Sequence, residues 1–220
     1  MGVDEISPVA QDYLKAIWSA TEWGGPPITT KALAARQGTT LATVSETLRR
    51  LAAQGLVDYE PYRPARLTPA GERHAVAMVR RHRLLETFLV QVLGYAWDEV
   101  HDEAERIEHA ASDRLIDRID DHLGRPVVDP HGDPIPRVDV PRPAPSEVLG
   151  LPDASPGVYE VVRVSDAEAS RLAWLGAAGL VPGAVVLVAV SDGSLVVETA
   201  GEPVAVTAED AAAVLVRRAR

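Results

Sequence analysis

The chain has 220 residues, 46% hydrophobic and 25% charged, enough for one large domain or two to three small ones of ordinary soluble composition. It contains no cysteine, which excludes disulfides, zinc ribbons, cysteine-ligated iron–sulfur clusters and thiol catalysis. The formal charge of −10 argues against nucleic acid as a partner of the whole surface, but Lys31 to Arg83 holds ten Lys/Arg against four acids, a local +6 that leaves −16 elsewhere. No apolar run reaches membrane-spanning length and no basic-then-apolar signal opens the sequence. A cytoplasmic protein with no membrane partner is the expectation.

Ile6 to Ala20 reads as an amphipathic helix. Ile6, Val9, Tyr13, Leu14, Ile17 and Trp18 recur at helical spacing, Ser7–Pro8 starts it, and Gly24–Gly25–Pro26–Pro27 ends it. Asp12 lies off that stripe, where a solvent-facing charge is the plain reading. Thr29 or Thr30 caps a short second helix, Lys31 to Gln37. Gly38 breaks it, and Thr39 or Thr40 caps a third running to about Gln54, with Gly55 as its closing glycine. Helix, glycine turn and capped helix make a helix-turn-helix. Its second helix carries Thr40, Ala42, Thr43, Ser45, Glu46, Arg49 and Arg50. The short hydroxyls and Ala42 suit close approach to phosphates and base edges, and the arginines suit phosphates or ion pairs. Leu56 to Thr68 alternates around a turn and reads as a hairpin wing, with Arg63 and Arg66 as phosphate contacts near its tip. Three-helix packing with no DNA role is the alternative.

A long helix follows from Thr68–Pro69 to about Leu93, interrupted at Gly94–Tyr95, and a second is expected from Trp97 to about Leu123. His82 and Glu86 are i,i+4 neighbours, as are His101 and Glu105, and Glu105 and His109; Glu108 lies three after Glu105. Two such clusters on consecutive helices can build a metal site from carboxylates and imidazoles, the alternative being solvated faces with local charge pairs. A dimetal enzyme is the rival class, although no HExxH, phosphate loop or Ser/His/Asp series stands out. A regulator of organic-ligand type is a second rival. His74, His122 and His131 lack partner spacing and read as surface residues. Val100, Ala104, Ile107, Ala111, Leu115, Ile116 and Ile119 form a stripe for packing or for a two-fold dimer.

Nine prolines between Arg125 and Gly157 forbid regular helix and read as a stiff, partly ordered linker. Beyond it, strands are expected at Val158–Val164, Val185–Val190, Leu195–Glu198 and Pro203–Val206, with a helix at about Ala167 to Ala178 and an Asp192–Gly193 turn. Few short strands in about sixty residues suggest a small barrel.

RRHRLLETFL (80–89), VHDEAERIEHAASDRL (100–115) and DPHGDPIP (129–136) resemble the diphtheria toxin repressor family of metal-activated transcription regulators, over essentially the whole chain. Within it the sequence is similar to the manganese transport regulators: the iron-responsive branch typically carries cysteine where this chain has Glu105 and methionine where it has Asp12. The resemblance implies a mainly α protein with a β C-terminal part. Its domains would be a winged helix-turn-helix at 1–73, a helical metal-binding and dimerisation domain at 74–140, a linker at 141–157 and an SH3-like barrel at 158–220. It implies a metal-activated repressor of metal-homeostasis genes, bound to operator DNA as a homodimer, with no organic substrate. Mn²⁺ is the implied corepressor, with Fe²⁺ the alternative. The implied primary site is Asp12, Glu105, Glu108 and His109; the ancillary site is His82, Glu86 and His101, completed by Asp166 and Glu168. Exchange of sulfur for oxygen ligands suits Mn²⁺, which sits low in the Irving–Williams order and is selected by hard donors and geometry.

Overall fold

A computed structural model describes residues 6–137, 148–191, 194–199 and 203–219. By contact density the chain forms two compact units. The first contains the chain up to His82 together with 107–116; the second contains 83–106, 117–135 and the C-terminal residues.

In the first unit, α1 (Pro8–Ser19) is capped by Ser7, whose hydroxyl accepts from the Ala10 amide. Thr29 and Thr40 cap α2 (Thr30–Arg36) and α3 (Leu41–Ala53) in the same way, so each ambiguous pair of threonines resolves to the residue just before the helix. Gly38 takes φ +57° between α2 and α3, a conformation that suits glycine at this turn. Tyr13, Leu14, Ile17 and Trp18 of α1 join Leu33, Val44, Leu48 and Leu51 in one core. The wing is minimal: β1 (Val57–Asp58) pairs antiparallel with β2 (Arg66–Leu67). Thr68 ties it down by donating its hydroxyl to Gly55 O, then caps α4 (Pro69–Leu93) through the Gly71 amide. Gly71 has no room for a side chain, because a Cβ would collide with the Leu56 carbonyl.

The helix expected from Trp97 to Leu123 is two helices, α5 (Val100–Glu108) and α6 (Asp113–His122). Ser112 is the reason. Its hydroxyl accepts from the Leu115 amide and its carbonyl accepts from Leu115 and Ile116, which starts a new helix one turn after the old one closes. The apolar stripe is mostly consumed within the chain: Val100, Ala104, Ala111, Ile116 and Ile119 are buried, while Leu115 faces outward.

In the second unit a six-stranded antiparallel sheet runs in the order β3 (Val148–Gly150), β8 (Val214–Arg218), β4 (Gly157–Val164), β5 (Val185–Ser191), β6 (Ser194–Glu198), β7 (Val204–Val206). Helices α7 (Ala169–Ala177) and α8 (Ala208–Ala212) complete it, around a core of Leu151, Val161, Leu172, Leu175, Val188 and Val216. The four expected strands and α7 are present within a residue or two of their bounds. The Asp192–Gly193 turn and residues 138–147 lie outside the described residues. The sheet begins at Val148, inside the stretch read as linker, and β8 and α8 are additional.

Part of the proline-rich stretch is not a linker either. Residues 126–137 form an ordered loop closed by a Val128–Pro134 bridge, with Asp129, His131 and Asp133 buried. The loop docks on β4: the Val164 amide donates to His131 O, and a Cβ on Gly132 would overlap the Val162 carbonyl. The register of β4 against β8 shifts between Val161 and Arg163, where this docking occurs.

Candidate metal centres and nucleic-acid face

The first cluster is built by α1 and the end of α5. Burial of Tyr13, Leu14 and Ile17 fixes the rotation of α1, so Gln11, Asp12 and Lys15 share a flank of the helix. His109 stands just past α5, in the turn that the Ala110 and Ala111 amides close on the Ile107 carbonyl. Its Nε2 lies 3.0 Å from Asp12 Oδ1, and its Nδ1 lies 2.7 Å from Gln11 Oε1. If Nδ1–H donates to the Gln11 amide oxygen, the Nε2 lone pair points at Asp12, the tautomer a metal ligand needs. Glu108 is 0% exposed. Its Oε1 meets Lys15 Nζ at 2.5 Å and its Oε2 meets His82 Nδ1 at 2.7 Å. Burial alone would raise the Glu108 carboxyl; the hydrogen bond and charge of His82, then Lys15, outweigh this and hold it below its ordinary range. Buried Arg81 braces the turn by donating to Glu108 O and to Asp113. Single donor atoms of Asp12, Glu108 and His109 all lie within 4.8 Å of one another.

The second cluster gathers Glu86, His101 and Asp166. His101 Nδ1 is 3.2 Å from Glu86 Oε1 and 3.1 Å from Asp166 Oδ2. Burial would lower the His101 imidazole, but hydrogen bonds and charge from Asp166, then Glu86, raise it to about 10. Directly behind lie Asp129 and His131, and one donor atom each of Glu86, Asp129 and His131 also falls within a 4.8 Å group. His131, read from sequence as a surface residue, is 0% exposed. Its Nε2–H can donate to the Trp97 carbonyl at 2.7 Å, which leaves Nδ1 as a buried lone pair 3.9 Å from Glu86 Oε2, with no hydrogen-bond partner among the described residues. Asp129 accepts from the amides of His131 and Asp133. Burial, then the charges of Asp133 and Glu86, push its carboxyl well above the usual carboxylate range, against the opposing charge of Arg83. An orphaned imidazole nitrogen among crowded carboxylates is a donor set that fits a divalent cation. His74 is likewise buried rather than exposed, whereas His122 is exposed and edges onto Phe88.

Glu105 and Glu168 fall outside these groups. Glu105, about half exposed, faces His101 Nε2 at 3.6 Å on its own helix. His82 precedes Glu86 by one turn of α4 and is engaged by Glu108 in the first unit. Glu168 lies at the start of α7, where it accepts from Ser170 and pairs with Arg171. Sequence reasoning missed Gln11, Asp129 and His131. The DPHGDP run was visible, but its prolines read as linker; for Gln11 the one available signal was its place beside Asp12.

On α3 the expected reading face is free of the core. Thr40, Ala42, Thr43, Glu46, Arg49 and Arg50 are exposed and Ser45 is half-buried, as a helix-turn-helix requires of its second helix. Thr40 and Thr43 hydroxyls lie 2.9 Å apart, and Arg49 pairs with Glu46 at 3.0 Å. Tyr59 of the wing donates to the Ser45 hydroxyl at 3.4 Å. Arg63 and Arg66 are exposed on the wing, Arg63 3.3 Å from Glu60.

A winged helix-turn-helix carried on helices with carboxylate–imidazole clusters, followed by an SH3-like β domain, defines a metal-dependent transcriptional repressor. Three family models match in chain order: the iron dependent repressor N-terminal DNA binding domain over residues 5–65, the iron dependent repressor metal binding and dimerisation domain over 68–137, and the FeoA domain over 150–218. The iron-dependent repressor IdeR of Mycobacterium tuberculosis is 32% identical over 203 residues, covering 87% of this chain and 88% of that protein. A manganese-dependent transcriptional repressor solved in complex with manganese is 47% identical with a TM-score of 0.86, covering 94% of this chain and 98% of that one. The manganese regulator SloR is 31% identical with a TM-score of 0.79 over 97% and 100% of the two chains. This chain belongs to the iron-dependent (diphtheria toxin) repressor family. Its members are DNA-binding repressors, and the dimetal-enzyme alternative falls with that membership.

Proposed function

We propose that this protein is a manganese-activated repressor of metal-homeostasis genes that binds operator DNA as a homodimer in the cytoplasm. The observation that carries the reading is the donor set. Two clusters are composed of carboxylates and imidazoles with no sulfur, one of them joining α1 of the DNA-binding module to the end of α5. Hard donors remove the advantage that thiolate and thioether ligation gives to softer metals. Asp12, Glu108 and His109 would hold one ion; Glu86, His101 and Asp166, backed by Asp129 and His131, would hold a second, with Glu105 orienting His101. The bound cation supplies positive charge to carboxylates that otherwise repel.

Asp12 carries the coupling. It is the one member of the first cluster that belongs to α1, whose apolar face packs with α2 and α3, so fixing Asp12 against His109 fixes the reading helix. Linkage then requires that an ion preferring the DNA-competent state raise DNA affinity, and that DNA raise metal affinity by the same factor. Fe²⁺ is the second reading, supported by the imidazoles and by the likeness to an iron-dependent repressor.

The test is fluorescence anisotropy on DNA from the protein's own upstream region at fixed salt, titrated with Mn²⁺, with anaerobic Fe²⁺ and with chelator. Tight binding with Mn²⁺ alone is expected, and Asp12→Ala should lose metal activation by about tenfold or more while keeping its circular dichroism, a coupling of typical size. Equal activation by Fe²⁺ favours the second reading. Specific binding that persists in chelator would sink both.

A further inference from the structure

Lys15 is buried, its side chain 9% exposed against 1% for Glu108, and its ammonium sits 2.5 Å from Glu108 Oε1. That oxygen is the one 3.7 Å from His109 Nε2, on the side where Asp12 and His109 converge. The other oxygen, Oε2, is already engaged by His82. A cation held by Asp12, Glu108 and His109 must therefore take up the oxygen that Lys15 holds, or share it at close range with a positive charge that cannot diffuse away. Lys15 and Asp12 leave the same helix one turn apart, so the lysine cannot move far while Asp12 stays in place.

We propose that Lys15 is a tethered cation that competes with the metal for Glu108 and thereby sets the metal concentration at which the first centre fills. The inference rests on the metal reading of that centre. In the metal-free protein the ammonium neutralises a buried carboxylate and keeps the site assembled. On loading, the divalent ion displaces the ammonium or tolerates it, and either course weakens binding relative to the same ligands without a lysine. The sensor is thereby tuned to respond only when free metal is plentiful.

The experiment is isothermal titration of full-length protein with Mn²⁺, read alongside Mn²⁺ electron paramagnetic resonance, on wild type, Asp12→Ala, Lys15→Met and Lys15→Arg. The binding step lost in Asp12→Ala identifies the first centre. Lys15→Met keeps the length of the side chain and removes the charge, and it is expected to bind at that step about tenfold more tightly, the effect of removing one charge beside a divalent ion even under strong screening. Lys15→Arg, which keeps the charge, should stay close to wild type. An unchanged or weaker step in Lys15→Met overturns the proposal and leaves Lys15 as a partner of Glu108 for stability alone, a role that would show in the melting temperature and not in the metal step. Should Lys15→Met fail to fold, Lys15→Gln is titrated against the same two outcomes. If Asp12→Ala loses no binding step, the metal reading of the centre itself has failed, a result separate from an unaltered Lys15→Met.

Discussion

At neutral pH the metal-free protein holds an imidazolium between Glu86 and Asp166, because their attraction for His101 exceeds the cost of burying it and lifts its pKa from 6.5 to about 10. The group contributes stability that is fully present below about pH 6.5 and is lost as pH rises through about 10. Glu108 runs the other way: its lowered carboxyl contributes stability above the ordinary carboxylate range that is lost as pH falls through its folded value. A metal at the second centre needs the His101 lone pair, so loading must expel that proton. Calorimetry at pH 7.5 in buffers of differing ionisation enthalpy should report release of about one proton per ion at this centre, and tighter binding as pH rises. Binding with no proton release would show that His101 is not a ligand.

At the scale of elements, the break between α5 and α6 comes directly after Glu108 and His109. The turn closed by the Ala110 and Ala111 amides on Ile107 O carries His109 to Asp12, and Ser112 opens α6 directly after it. Replacing Ser112 by Ala removes one cap and should cost about 1 kcal/mol of stability. Mn²⁺ affinity at the first centre should fall with it, both restored by Ser112→Asp; an unaltered metal isotherm in a destabilised protein would separate cap from centre. Ser7, Thr29, Thr40 and Thr68 were legible as starts because each stands before an apolar periodic run. Ser112 was not, because Ala111, Leu115 and Ile116 carry the helical pattern straight across it. The DPHGDP loop was hidden for a different reason. Prolines announce the absence of helix, but an irregular loop is specified by the particular amides and charges it meets in space, such as Val164 N and Arg163, which periodicity does not record. The barrel showed its alternating strands and concealed β8, whose Val214–Arg218 run follows a short capped helix without a turn signal.

Across the molecule, the carboxylates of the proposed second centre are held by other buried charges. Arg83 of α4 donates to Pro134 O and approaches Asp129 and Asp133, and Arg163 of β4 meets Asp133 at 2.7 Å. Arg163→Met removes the partner 2.7 Å from Asp133 and leaves Arg83 in place. It should cost about 1.5–3 kcal/mol in urea unfolding, the range for a hydrogen bond to a charged group, with Mn²⁺ affinity reduced at the second centre but not the first. A loss below about 0.5 kcal/mol, the scale of an ordinary surface substitution, would mean the loop is held without this pair. The local +6 of residues 31–83 against −16 elsewhere should also make operator binding steeply salt-dependent.

Because the loop that carries Asp129 and His131 rests on Arg163 and Val164 of β4 as well as on Arg83 and Trp97, part of its support is missing until β4 has been made. At a synthesis rate of roughly 5–20 residues per second, its β4 partners emerge on the order of seconds later. A nascent or truncated polypeptide would carry a complete DNA-reading module and a first centre, yet its second centre would be blind. On the proposed reading, incomplete products of translation would respond to metal through the first centre alone, and the second is completed once β4 and Asp166 have been made.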